Sequence, residues 1–284
     1  MIQNIYIIGI GLIGGSLALD IKKKRPETII YGIDNSEDHL NQALELNIIE
    51  EKATLDDLEK ADLVILSIPV DASVKLLPQV LDRISDFATV VDVGSTKLDI
   101  CNAVENHKRR RNFLAMHPIA GTEFSGPKAA IENLFQYKTN IICEVEKTAF
   151  KLQEKALHLF TEIGMRMRYM NPKSHDKHIA YMSHLSHISS FMLGKTVIEK
   201  EKNERDIFDM AGSGFESTVR LAKSSPAMWT PIFKQNKENV IETLDDYISN
   251  LTQFKNMMKN DDFEGVYNEM KDTNYIKQIL NGIS

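Results

Sequence analysis

The sequence predicts an α/β chain, with a doubly wound, mainly parallel sheet over residues 1–170 followed by an all-α region over residues 171–284. Three observations carry that prediction. Apolar, β-rich runs alternate with helix-like stretches through the first half, as βαβ units do. The first of these runs breaks into closely spaced glycines and resumes with helical spacing. After Asn171-Pro172, an N-cap residue with proline at the first helical position, no convincing strand recurs.

The first element is Ile5-Tyr6-Ile7-Ile8, which leads into Gly9-Ile10-Gly11-Leu12-Ile13-Gly14-Gly15-Ser16. A Gly9-x-Gly11-x-x-Gly14 spacing suits a dinucleotide. The first glycine allows the turn, the second lets the backbone approach a pyrophosphate, and the third lets helix and strand pack closely. Leu12 and Ile13 lie at the start of that helix, whose free N–H groups and partial positive charge face the phosphates of a Rossmann-type site. An ordinary strand-to-helix turn is the competing reading, and the context decides against it. Residues 28–32 read as a second strand, and Asp34 falls at its end, 20 residues after Gly14, where a carboxylate accepts from a ribose hydroxyl. Asn35 and Ser36 follow with no arginine to pair a 2′-phosphate, so NAD is favoured over NADP.

Later runs at 62–68, 88–93, 112–116, 140–145 and 165–170 read as strands, and 36–46, 70–84, 97–108 and 148–163 as helices. Ligands of such sheets bind at the carboxyl ends of the strands. Ser67-Ile68-Pro69 either lines a nicotinamide ribose or simply ends its strand. In Asp92-Val93-Gly94-Ser95-Thr96-Lys97, Ser95 either contacts a ligand or caps the next helix. His117-Pro118-Ile119-Ala120-Gly121-Thr122-Glu123-Phe124-Ser125-Gly126-Pro127 is rich in polar groups, Thr122 and Glu123 among them. His117, at a strand end beside the nicotinamide, is placed to take a proton as hydride leaves a carbinol carbon; a structural histidine is the alternative.

Composition excludes other classes. A net charge of −6 gives no footprint for nucleic acid or an anionic membrane, and the basic run from His107 to Arg111 suits a helix C-terminus. Two cysteines, Cys101 and Cys143, provide neither a disulfide framework nor metal spacing, as expected in a reducing cytoplasm. The apolar run at 5–19 lacks a basic leader and is broken by glycines, and no other stretch approaches the roughly 18 apolar residues of a membrane helix.

The helical region opens with His175, His178, His184 and His187, four of the chain's eight histidines, and with Asp176. His184 and His187 share an inward face with Ala180 and Phe191. That spacing presents too few ligands for zinc. Polar groups facing a cleft between the domains fit better. Gly212-Ser213-Gly214 then breaks the helices, and Arg220 beyond it is a candidate carboxylate clamp, with a surface arginine as the commoner case. Thr230-Pro231 begins a helix expected to reach about residue 259, roughly 43 Å. Its apolar stripe, Val240, Leu244, Tyr247, Leu251, Phe254 and Met258, is broad for so small a domain and predicts a homodimer. Asp261-Asp262 caps a last helix reaching Leu280.

The glycine turn, Asp92 to Lys97, the long segment from His117 to Pro127, and Ser183-His184-Leu185-Ser186-His187 together resemble the prephenate dehydrogenase family of the tyrosine pathway. The resemblance spans nearly the whole chain, and the His-Pro-Ile-Ala-Gly-Thr-Glu stretch is its most specific part. It implies NAD-dependent oxidative decarboxylation of prephenate to 4-hydroxyphenylpyruvate. By the same resemblance His117 takes the proton of the ring hydroxyl and Ser95 orients it, while Arg220 and His187 line the substrate pocket, Arg220 on a carboxylate. His175, Thr122 and Glu123 are further candidates for that pocket. Ser186 departs from the proline many relatives carry there. No regulatory ligand domain or chorismate mutase segment is expected. Arogenate dehydrogenase is the nearest rival, a β-hydroxyacid dehydrogenase with a lysine acid/base a more distant one, and a non-catalytic NAD sensor a third.

Overall fold

The computed structural model describes residues 2–202, 204 and 206–281. The chain divides into two compact units, Met1–Lys237 and Glu238–Ser284. The first contains one eight-stranded sheet built from β1 (Asn4–Ile8), β2 (Ile29–Ile33), β3 (Glu51–Lys52), β4 (Leu63–Leu66), β5 (Thr89–Asp92), β6 (Phe113–Pro118), β7 (Thr139–Cys143) and β8 (Arg166–Met170). Their order is β3-β2-β1-β4-β5-β6-β7-β8. All neighbours are parallel except β6 and β7, where His117 lies opposite Ile141. The order reverses between β1 and β4, which places the crevice for a ligand at the glycine turn.

Strand alternation divides the core between the two faces of the sheet. In β1, Ile5 and Ile7 join one apolar cluster and Tyr6 and Ile8 the other. The first cluster takes in Leu17, Ala18 and Ile21 of α1 (Leu12–Lys24), Leu40 and Ala43 of α2 (Glu37–Glu45), and Ala156, Leu159 and Phe160 of α5 (Phe150–Glu162). The second takes in Leu77, Val80 and Leu81 of α3 (Val70–Arg83) and Ile100 and Cys101 of α4 (Leu98–Ala103). The central strands β4, β5 and β6 are buried on both faces, which explains why they read as nearly continuous apolar runs, while the edge strands β3 and β8 are largely exposed.

The helical stretch begins at α6 (Pro172–Ile179), where the Asn171 side chain accepts from Ser174 N at 2.8 Å. A single π-helical turn, Ala180–His184, separates α6 from α7 (Leu185–Glu201). Then come α8 (Ser213–Val219) and α9 (Pro226–Gln235). The second unit holds most of α10 (Lys237–Lys259), with α11 (Phe263–Thr273) and α12 (Ile276–Asn281). Asp262 caps α11 by accepting from Gly265 N at 2.9 Å.

Three expectations need correction. The last helix, expected to reach Leu280 without a break, is two, α11 and α12, interrupted at Asn274 and Tyr275. The single helix from Thr230 to about residue 259 is two, because the backbone leaves helical geometry at Asn236, φ −106° and ψ 25°, and Pro231 lies inside α9 rather than at a start. The helix expected over 97–108 ends at Ala103, where the chain turns and His107 Nδ1 accepts from Arg109 N. β3 was not anticipated, since two charged, exposed residues have no alternation to detect.

Candidate active site

Gly9 adopts φ +94°, a conformation that L side chains rarely adopt, and a Cβ there would stand 2.6 Å from the Ser67 carbonyl oxygen. A Cβ on Gly14 would run into the Gly9 carbonyl oxygen and Ser67 Oγ. Around Gly11 there is open space, and Gly11 is also the N-cap of α1 with no side chain capping the helix. The first amides of α1 are therefore left for an anion, and these residues fit a dinucleotide. At the end of β2, Asp34 accepts from Ile10 N and Ser36 N, both at 2.9 Å, so its carboxylate is fixed beside the turn. Ser67 donates to the Gly9 carbonyl at 2.6 Å, which gives it a definite job in holding the turn. Ile68 packs against the cluster below α3, and Pro69 is the N-cap of that helix.

The loop after β6 closes over α1. Ile131 N donates to Ser16 Oγ at 3.0 Å, Asn133 N donates to Asp20 at 2.6 Å, and Gly15 leaves just enough room for Ala130.

His117 sits at the end of β6, buried, with Nδ1 2.8 Å from His175 Nε2. His175 Nδ1 in turn lies 2.7 Å from Asp176 Oδ1. Asp176 also accepts from Lys97 N at 2.8 Å and Leu98 N at 2.9 Å, so it caps α4 from 78 residues away. Ser95 does not cap that helix. Its N-cap is Lys97, and the Ser95 hydroxyl, partly exposed, has no hydrogen bond to any described residue. Beneath His117 a fully buried ion pair joins Lys97 Nζ to Asp92, and Lys97 Nζ also donates to the Met116 carbonyl at 2.7 Å. The pair ties β5 to β6 one residue before His117. Burial, then the neighbouring His175 and the Lys97 ammonium, push the His117 pKa well below the usual imidazole range, so the ring is neutral.

The π-helical turn brings His184 inward, where its ring meets Trp229 and Phe233 edge-on. Burial lowers its pKa to about 4. Asn236, at the break between α9 and α10, donates to the Asp176 carbonyl at 2.7 Å and to His184 Nδ1 at 3.2 Å. His187 lies over Trp229 with ring centroids 3.7 Å apart, and its Nδ1 donates to the Ser183 carbonyl at 3.0 Å, which leaves Nε2 as an acceptor. Arg220 Nη1 reaches Glu123 at 3.3 Å, half exposed, and its charge depresses the His187 pKa, which burial already lowers. Thr122 Oγ1 accepts from Phe124 N at 3.3 Å, a local turn contact.

His117 and His175 thus touch directly, and Glu123, Arg220 and His187 form a second group. Asp176, His184, Trp229 and Asn236 belong to the architecture of the site. The lone tryptophan and a polar residue between two apolar helices were the available signals for the last two. Among the described residues no group of three His, Cys, Asp or Glu is arranged to hold a metal, and no helix is long and apolar enough to cross a membrane.

The geometry of a nucleotide turn followed by a buried, neutral histidine coincides with a family match. The model described as "Prephenate dehydrogenase, nucleotide-binding domain" matches residues 17–169, and "Prephenate dehydrogenase, dimerization domain" matches 171–272. The chain belongs to the prephenate dehydrogenase family. It is 31% identical over 275 residues to the prephenate dehydrogenase of Bacillus subtilis, covering 95% of this chain and 74% of that one. Among solved structures, the prephenate dehydrogenase from A. aeolicus in complex with hydroxyphenyl propionate and NAD+ has a TM-score of 0.89 and 31% identity, covering 99% of each chain. The Synechocystis arogenate dehydrogenase has a TM-score of 0.78 and 26% identity, covering 98% of this chain and all of that one. The first match begins at residue 17, just after the glycine turn, so the turn is an observation independent of it. Membership places the chain among NAD-linked oxidoreductases of the tyrosine pathway.

Proposed function

We propose that this chain catalyses the NAD-dependent oxidative decarboxylation of prephenate to 4-hydroxyphenylpyruvate, with His117 as the base. The observation that carries this reading is the state of His117: buried, neutral, and at the carboxyl end of β6, on the same side of the parallel strands as the glycine turn after β1, within the family's most specific motif. Bound NAD supplies the hydride acceptor. Gly9, Gly11, Gly14, Leu12 and Ile13 hold the pyrophosphate against the uncapped start of α1, Asp34 takes the ribose, and Ser67, Ile68 and Pro69 border the nicotinamide side.

The remaining work falls to this chain's side chains. His117 accepts the ring-hydroxyl proton, and Ser95, whose hydroxyl has no described partner, orients that hydroxyl. Arg220 binds a substrate carboxylate, with Glu123, Thr122 and His187 lining the pocket, whereas His175, expected there from the sequence, is buried behind His117 with both ring nitrogens engaged. Because loss of carbon dioxide and aromatisation are strongly downhill, orientation and removal of one proton suffice. Division at Asn171 assigns residues 1–170 to NAD and 171–284 to substrate and dimerisation. The chain acts in the cytoplasm as a homodimer. The match of a dimerization-domain model and the exposed Ile248, Leu251, Phe254 and Met258 of α10 support the dimer.

The test follows NADH formation with prephenate and with arogenate. Faster turnover of prephenate is expected. Preference for arogenate would reassign the substrate, and NADH from neither would leave a nucleotide-binding protein without this activity.

A further inference from the structure

The hydrogen bonds around Asp176 determine where the protons sit on two histidines. A carboxylate only accepts, so His175 Nδ1, 2.7 Å from Asp176 Oδ1, carries a proton. On a neutral His175 that leaves Nε2 as a bare lone pair. His117 Nδ1 lies 2.8 Å from this lone pair, and two bare nitrogens at that distance would repel. His117 Nδ1 is therefore the donor, and the remaining nitrogen of His117, Nε2, has no proton.

We infer that Asp176 and His175 are positioning residues that fix the tautomer of His117, keeping its Nε2 unprotonated and aimed to receive a proton. The inference rests on the reading of His117 as base and names what makes it one. In the step itself the substrate O–H bond breaks and the His117 Nε2–H bond forms, while the C–H bond on the same carbon breaks and its hydrogen and electron pair would go to bound NAD, leaving a ring carbonyl. The ring C–carboxylate bond then breaks, carbon dioxide leaves, and the electron pair of that bond aromatises the ring as the oxygen takes the proton back from His117. The positive charge arising on His117 is met by the His175 lone pair and, through it, by the Asp176 carboxylate. No proton needs to leave His117 for His175 during the step.

The surroundings favour this arrangement. Asp176 is held by two backbone amides at the start of α4 as well as by His175, so it has little freedom to turn away. Burial lowers the pKa of His175, and the Lys97 ammonium lowers it further, against the opposing pull of Asp176 and Asp92. The charged and titratable groups around His117 are His175 from α6, Lys97 from the turn before α4, and His184 from the π-helical turn, and all three disfavour a second proton on it. The tautomer is thus set within the protein before substrate arrives, as general-base catalysis requires.

The direct test is 15N NMR of the histidine rings in the unmodified protein with NAD at pH 7.5, with the His117 signals assigned from their loss in His117→Asn. A protonated Nδ1 and a bare Nε2 are expected; a proton on His117 Nε2 overturns the proposal. The kinetic test compares two variants that bind NAD like the parent. His175→Leu removes the acceptor and should lower kcat by roughly 100-fold or more while the KM for prephenate moves only a few-fold. His175→Gln places an amide oxygen near the position of Nε2 and should recover turnover to within about tenfold of the parent. Equal loss in both variants, or loss in KM alone, overturns the positioning role. If His117→Asn itself turns over normally, the base assignment fails instead. If His117→Asn is inactive and His175→Leu is not, only the present inference fails.

Discussion

The glycine turn and the histidine cluster solve opposite problems with opposite kinds of residue. Between Ile8 and Ser16 one continuous stretch makes the nucleotide-facing turn, and what matters there is the absence of side chains: φ +94° at Gly9, no room for a Cβ at Gly14, and open space at Gly11. The cluster around His117 is assembled from β5, β6, the start of α4, α6, the π-helical turn and Asn236, and what matters is the pairing of its buried polar groups across elements, with His184 Nε2 left without a partner among the described residues. A backbone site can be specified by a motif. A side-chain network joined by contacts up to 79 residues apart along the chain cannot.

The contrast can be broken most forcefully at His117. His117→Asn is expected to lower kcat by roughly 100-fold or more with the KM for NAD nearly unchanged, because the chemical step is lost and the turn is untouched. Turnover within a few-fold of the parent would reduce His117 to a structural residue.

The turn gives the next largest effect, and it falls on stability. Gly14→Ala should cost about 1–3 kcal/mol in urea unfolding, since the new methyl meets the rigid Gly9 carbonyl. Gly11→Ala should unfold within about 0.5 kcal/mol of the parent yet raise the KM for NAD roughly tenfold, because its methyl points into space needed by the ligand. Equal behaviour of the two variants would refute the division of labour among the glycines.

Arg220 sharpens the comparison on the substrate side. It is half exposed and already paired with Glu123, so a carboxylate bound there exchanges one partner for another. Arg220→Gln should raise the KM for prephenate about tenfold with kcat much less affected, since the contact persists in ground and transition states alike. An unchanged KM would move the clamp elsewhere. Lys97 is then no substitute, being sealed in its pair with Asp92.

The smallest effect is a pH dependence of stability belonging to the cluster alone. His117, His175 and His184 all have pKa values lowered by burial, His184 to about 4. Below about pH 6.5 the unfolded chain takes up protons at these positions and the folded chain does not, so their contribution is complete above that pH and declines as pH falls toward the folded values. For His184 the loss at pH 5.5 is about 1 kcal/mol. Urea midpoints at pH 7.5 and 5.5 measure it, and equal midpoints would contradict the buried, neutral state.

The chain order of apolar runs determined the sheet, and the glycine spacing with Asp34 determined where a nucleotide lies, because strand pairing and turn geometry depend on residues close in sequence. Asn171 was legible as an N-cap for the same reason, its partner being three residues away. His117 could be singled out by position, but its neutral state could not, since that comes from burial beside Lys97 and His175. The break at Asn236 escaped periodicity because apolar positions on either side keep a helical phase. Only the folded chain shows that Asn236 gives its amide to Asp176 and His184. Ser95 had the spacing of a helix cap, yet tertiary structure gave the capping to Asp176, a carboxylate able to accept from two amides and His175 at once. Local geometry is written in neighbouring residues, whereas protonation states and buried hydrogen-bond partners are decided by which distant groups the fold removes from water together.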